Sequence, residues 1–344
     1  MKEKERVAYL DCLRCFAIFL VIVLHVLVPV VSNTGLYGAP SWELCVVLDA
    51  FTRVGVPLFF MLSGWLMLNR DSTREIGAFY RKNLPKLLLP LLVWNGIYYL
   101  WNAGGEGRGL SLEEFLAGLL NQGHGYHMWF IYTLLGVYLL CPYIKRIADG
   151  CSGRQLLLLV VIILIPTTLQ PILNLTQPVY LNLFPPMMEG YLGYFLVGYY
   201  LGGHPLGPWA RYALYLLGLA AFLIAAVGNL AAASPKEILL PFNGGYRLNH
   251  YLTAAAVFVL VRTLFEAHRE RLAPMTAPLA WLSSRVFGVY WVHVLALEAV
   301  TRAVGADLTV LEFVGVRLAA ACGLSLLFAA LASRLPGPVR RALM

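Results

Sequence analysis

Arg14 and His25 stand 11 residues apart in the first apolar stretch of the chain. On a helix, about 100° per residue brings them within roughly 20° of each other, on one face and roughly 16 Å apart along the axis. An imidazole takes and returns a proton near neutral pH, and a guanidinium is a permanent planar donor for phosphate, carboxylate or a developing oxyanion. Farther on, Asp49 and Arg53 lie at i and i+4 ahead of VPLFFMLSGWLML, a spacing that permits an ion pair along one helix. A base together with a donor aimed at an oxyanion is what acyl or proton transfer requires. Plainer roles compete: Arg14 as an anchor paired with Asp11, and His25 as a hydrogen-bonding residue between helices.

The elements that must position these groups are membrane helices. Of 344 residues, 60% are hydrophobic and 13% charged, and the mean hydropathy is +0.71, outside the range of soluble domains. Crossing about 30 Å of hydrocarbon takes roughly 20 mostly apolar residues. Ten stretches qualify: 8–31, 45–68, 84–101, 128–147, 155–174, 186–202, 210–230, 248–267, 281–300 and 310–333. They are apolar nearly all round, which fits helices and not barrel strands. The expectation is an all-α polytopic membrane bundle of about ten transmembrane helices. No internal repeat or linker divides it, so residues 1–344 read as a single domain.

The net charge of +8 is topological and points to no nucleic acid. With the N-terminus in the cytoplasm, only Arg108, Lys236, Arg247 and Arg302 fall outside. Lys2, Lys4 and Arg6, the run from Arg70 to Lys86, Lys145 with Arg146, Arg269 with Arg271, and Arg334 through Arg341 fall inside. That asymmetry places both termini in the cytoplasm. In this frame Arg53 lies about 12 Å and His25 about 9 Å below the outer ends of their helices, near one level. The first stretch is too long for a signal peptide, lacks a small-x-small cleavage site, and carries Asp11 and Arg14. Cys12, Cys15, Cys45, Cys141, Cys151 and Cys322 read as packing residues.

Residues 102–127 form the longest connection. After a glycine-rich start, SLEEF opens like a capping box, with Ser111 and Glu114 heading a short amphipathic helix. Pro57, Pro90 and Pro166 interrupt spans and should kink them. Glu189, Glu298, His293 and Arg317 are further intramembrane ionisable groups, each either a cavity residue or a paired structural one. His124 and His127 form H-x-x-H without a third ligand, so no metal is assigned. Tyr126, Trp129 and Tyr132 beside them suit an interfacial aromatic belt.

Taken as words, these segments resemble acyltransferase family 3, the integral-membrane O-acyltransferases of bacterial cell surfaces. YLDCLRCFAIFLVIVLHV (9–26) resembles the family's first helix with its Arg-x10-His pattern, met by Arg14 and His25. RVGVPLFFMLSGWLML (53–68) is similar to its second, with Arg53, Ser63 and Gly64 at the matching places. FYRKNLPKLLLPLLVW (79–94) resembles the basic entry to the third helix. HMWFIYTLLGVYLLCPYI (127–144) is similar to the H-x-W-[FY] segment of the surface-polysaccharide branch. FGVYWVHVLALE (287–298) matches a late F-G-x-Y-x-x-H element with Tyr290 and His293. One departure stands out: where the family often has Arg-x-x-Arg ahead of helix three, this chain has Asn83 and Lys86.

The resemblance implies transfer of an acyl group, usually acetyl, from acyl-CoA to a hydroxyl of a sugar or other envelope molecule, in a bacterial inner membrane. His25, Arg14 and Arg53 would be catalytic, with His25 either a general base or a transient acyl carrier. Arg81, Lys82 and Lys86 would meet coenzyme A phosphates, and His127, Trp129, Ser63, Tyr290 and His293 would line the acceptor side. The implied partners are the lipid bilayer, acyl-CoA as donor substrate and a glycan acceptor. A secondary transporter or flippase, with no covalent chemistry, would also use intramembrane charges and kinked helices.

Overall fold

The computed structural model describes residues 8–107, 109–176, 190–245, 247–303 and 308–344. Lys2, Lys4, Arg6, Arg108 and Glu189 lie outside the described residues, as does the start of the 186–202 stretch. Among the described residues sixteen α-helices follow in chain order: α1 Ala8–Val31, α2 Pro40–Thr52, α3 Gly55–Leu68, α4 Ile76–Asn83, α5 Pro85–Glu106, α6 Leu112–Leu120, α7 Trp129–Gly150 and α8 Gly153–Thr176. Then come α9 Leu192–Gly203, α10 Pro208–Ala232, α11 Leu248–Ala267, α12 Arg269–Leu272, α13 Thr276–Ser283, α14 Val286–Ala303, α15 Val310–Ala332 and α16 Gly337–Leu343. Among the described residues there is no strand.

Local chemistry sets many of the boundaries. Pro40, Pro85 and Pro208 each open a helix in the first turn, where a missing N–H costs nothing. Gly107, at φ +64°, closes α5 in the left-handed conformation. Ser111 caps α6 as expected, its Oγ accepting from the Glu114 N–H at 3.3 Å. The reciprocal bond is made differently: Ser111 N–H donates to the Tyr99 hydroxyl at 2.6 Å, and that hydroxyl also faces Glu114.

Among the described residues, seven helical segments are long and apolar enough to cross a membrane: α1, α2 with α3, α7, α10, α11, α14 and α15. The protein is a polytopic helical membrane protein. Large apolar side chains left exposed on α10 and α15, among them Leu216, Ile224, Val227 and Leu327, suit a lipid environment. Two expected spans are broken. The 45–68 stretch divides at Arg53 and Val54, because Pro57 cannot donate to the Arg53 carbonyl four residues before it. There the backbone tightens, with Val54 N–H donating to Phe51 O at 3.2 Å. The 281–300 stretch divides between α13 and α14, at Ser284 and Arg285.

The helices gather into two compact units. One comprises the chain up to Arg70 with Ala148–Ser284 and Leu308–Val314; the other comprises Asp71–Ile147, Arg285–Asp307 and Gly315–Met344. In the first, α3 packs most closely on α9. Gly64 and Gly198 make that crossing possible: a Cβ on Gly64 would fall on the Phe195 carbonyl, and one on Gly198 on the Met61 backbone. A core of Leu27, Val30, Val31, Trp42, Cys45, Val46 and Ala233 seals the end of α1 against α2 and α10. In the second unit, Trp94 of α5 stacks on Trp291 of α14 at 6.2 Å, and its indole N–H donates to the Leu343 carbonyl at 3.2 Å.

Candidate active site

α1 carries Arg14 and His25 on one continuous helix. Arg14 is engaged on both sides: Nη1 donates to Ser283 Oγ of α13 at 2.8 Å and lies 3.5 Å from the buried Asp11 carboxylate. It thus ties α1 to α13 while a third of its side chain stays accessible. His25 is half-buried one turn before Pro29, whose nitrogen has no hydrogen to donate to the His25 carbonyl.

Asp49 and Arg53 form the ion pair that their spacing permits. Arg53 Nη2 reaches both carboxylate oxygens at 3.0 and 3.1 Å, and Nε reaches Oδ2 at 3.2 Å. Asp49 is fully buried, whereas the Arg53 side chain is 23% exposed. The carboxylate is held from the other side too. Asn243 Nδ2 donates to Asp49 Oδ2 at 2.6 Å, Asn229 Nδ2 to Asn243 Oδ1 at 2.8 Å, and Phe242 N–H to Asn229 Oδ1 at 3.0 Å. A charge in a dry interior survives only when paired and hydrogen-bonded, and this network supplies both. The result is a guanidinium clamped along one edge, with Nη1 uncommitted among the described residues.

In the second unit, residues 163 positions apart meet. The Tyr290 hydroxyl donates to the His127 carbonyl at 2.9 Å, and His293 Nδ1 lies 2.5 Å from the Tyr290 carbonyl. The rings of His127 and His293 are 5.1 Å apart, and Tyr98 lies 5.1 Å from His127. All of these side chains are buried. Trp129 is half-buried at the first turn of α7. His124 turns away, stacked on Phe115 with Nε2 2.9 Å from its carbonyl, so the H-x-x-H pair is split. Among the described residues no group of three or more His, Cys, Asp or Glu could hold a metal ion. Arg81, Lys82 and Lys86 are exposed around the α4–α5 junction. Asn83 between them is buried, donating to Phe79 O at 2.9 Å, so of the two positions that depart from the family pattern Asn83 faces inward and Lys86 is exposed.

Arg14, His25, Arg53 and Ser63 belong to the first unit; Arg81, Lys82, Lys86, His127, Trp129, Tyr290 and His293 belong to the second. Asn229, Asn243, Asn249 and His250 belong to no charge pair or motif legible in the sequence. The available signal was a neutral one, an Asn inside an apolar span and the polar run NGGYRLNH at the head of the next.

A family model described as an acyltransferase domain, that of acyltransferase family 3, matches residues 7–334. The chain belongs to this acyltransferase family. No curated protein and no solved structure matches it. Membership of the acyltransferase family gives the clamped Arg53 a chemical context. Attack on a thioester or ester carbonyl puts negative charge on oxygen, and a rigid donor in a low-dielectric site stabilises that charge without reorganising. An acyltransferase also needs a group to take the proton of the attacking hydroxyl, for which a half-buried imidazole is suited.

Proposed function

We propose that this acyltransferase moves an acyl group, most simply acetyl, from cytoplasmic acyl-CoA to a hydroxyl of an extracytoplasmic sugar or other envelope acceptor. The bond from carbonyl carbon to sulfur breaks, the ester to the acceptor oxygen forms, and the hydroxyl proton leaves with the coenzyme A thiol. His25 serves as the proton acceptor or carries the acyl group briefly. Arg53 donates to the carbonyl oxygen as it becomes an oxyanion, Arg14 lies along the donor's path, and Arg81, Lys82 and Lys86 attract its phosphates. His127, Trp129, Ser63, Tyr290 and His293 shape the acceptor side. The observation that carries this reading is the Arg53 guanidinium, pinned by Asp49 with one nitrogen left over in an apolar setting.

Sealed inside-out vesicles provide the test. Acetyl-CoA added outside should acylate an acceptor trapped in the lumen, and Arg81→Ala or Lys86→Ala should raise the donor requirement more than the acceptor's. Acylation of an impermeant acceptor added on the same side as acetyl-CoA would overturn the two-sided arrangement.

A further inference from the structure

His250, at the start of α11, is 1% exposed, and its Nε2 has no hydrogen-bond partner among the described residues. Buried side-chain nitrogens are bonded in nearly all proteins, so an exception asks for a partner. The rest of the ring is fixed. Nδ1 lies 3.5 Å from Asn249 Nδ2, and that amide donates to the Phe242 carbonyl at 3.2 Å. Phe242 N–H in turn binds Asn229, which binds Asn243, which binds Asp49, the partner of Arg53. A hydrogen-bonded network therefore runs from Asn249, beside His250, to the clamped guanidinium. The turn ahead of α11 is tied down as well, with the Tyr194 hydroxyl donating to Gly245 O at 2.9 Å.

We propose that His250 and Arg53 form one polar subsite, which receives a hydroxyl of the acceptor molecule. The proposal rests on the acyl-transfer reading for the identity of that molecule. With the Nδ1 proton directed to the Phe242 carbonyl, to which the ring is hydrogen-bonded, the Asn249 amide at 3.5 Å is a neighbour and not a donor to the ring, and Nε2 is left as an acceptor that requires a partner with a hydrogen to give. A hydroxyl provides one, and its oxygen can take a hydrogen bond from the open Nη1 of Arg53. A carbonyl has no hydrogen to offer, and a metal ion or amine is disfavoured by the Arg53 and Arg247 cations that act on the ring. His250 is then a binding residue, separate from the proton transfer assigned to His25.

The test uses the full-length protein in lipid nanodiscs, acetyl-CoA, and envelope extract from cells lacking the gene, in which the acceptor hydroxyls are free. His250→Leu should raise the KM for the extract at least tenfold and leave the KM for acetyl-CoA unchanged; His250→Gln, which keeps an acceptor oxygen, should recover part of the loss. An unchanged KM for the extract in folded His250→Leu overturns the subsite and means that Nε2 holds water only. Where His250→Leu fails to fold, His250→Gln decides, with a threefold or greater rise in the same KM expected and none contradicting the proposal. Thermal unfolding with and without extract separates binding from chemistry. A wild type stabilised by extract that transfers nothing retires the transfer reading and keeps the subsite, whereas stabilisation retained by His250→Leu removes the subsite.

Discussion

Arg53 illustrates what a single side chain needs in order to act inside a membrane. A guanidinium there is costly unless paired, yet a fully satisfied one has no hydrogen left to offer. Asp49 takes Nε and Nη2, so the charge is compensated and the plane is fixed while Nη1 remains. Arg53→Lys should keep a charge near Asp49 but lose the fork, and with it the orientation of the donor. We expect Arg53→Ala to lower kcat by about 10²- to 10³-fold, as loss of an oxyanion donor does. It should also destabilise the protein by about 3–5 kcal/mol by stranding the Asp49 carboxylate. Steady-state kinetics alongside detergent-resistant unfolding would check both. Asn243→Leu should give a milder loss of rate, since Asp49 would keep its ion pair. The ion pair was legible in the sequence because both partners are charged and sit at i, i+4. The asparagines that brace it were not, because each is neutral and its partner lies on another helix or loop.

At the level of elements, the glycines do what the sequence motif could not announce. Ser63-Gly64 reads as part of a family signature, but Gly64 itself is where the backbone of α9 comes against α3. Gly64→Ala should therefore cost about 1–3 kcal/mol through overpacking and lower the yield of folded protein. Gly136→Ala on α7 has open space around its Cβ and should change neither. Thermal unfolding of the two variants side by side distinguishes a packing glycine from a tolerated one. Apolar stretches marked most helices to within a few residues, since length and hydropathy decide whether a segment can span. Breaks were harder to see: Pro57 was visible as an interruption, but its consequence, a split that leaves Arg53 between α2 and α3, depends on how the freed backbone is taken up locally. The meeting of His127 with Tyr290 and His293 depends on packing between distant helices, which periodicity does not encode.

For the whole molecule, the proposed donor side follows from the orientation that the distribution of Lys and Arg predicts. Cys151, a free and half-buried thiol between α7 and α8, reports on it. A membrane-impermeant maleimide should label Cys151 in inverted vesicles and not in intact spheroplasts. Labelling from outside would reverse the placement of Arg81, Lys82 and Lys86 as a cytoplasmic donor cluster. The chemistry proposed for this membrane helix bundle is transfer to a hydroxyl supported by His25. Its most direct measurement is coenzyme A thiol release by purified protein in nanodiscs, with acetyl-CoA and envelope extract from cells lacking the gene. Thiol release should depend on the extract and fall by at least two orders of magnitude in folded His25→Ala, the loss expected for a positioned acid–base group. Extract-dependent release by His25→Ala at close to the wild-type rate would contradict the account.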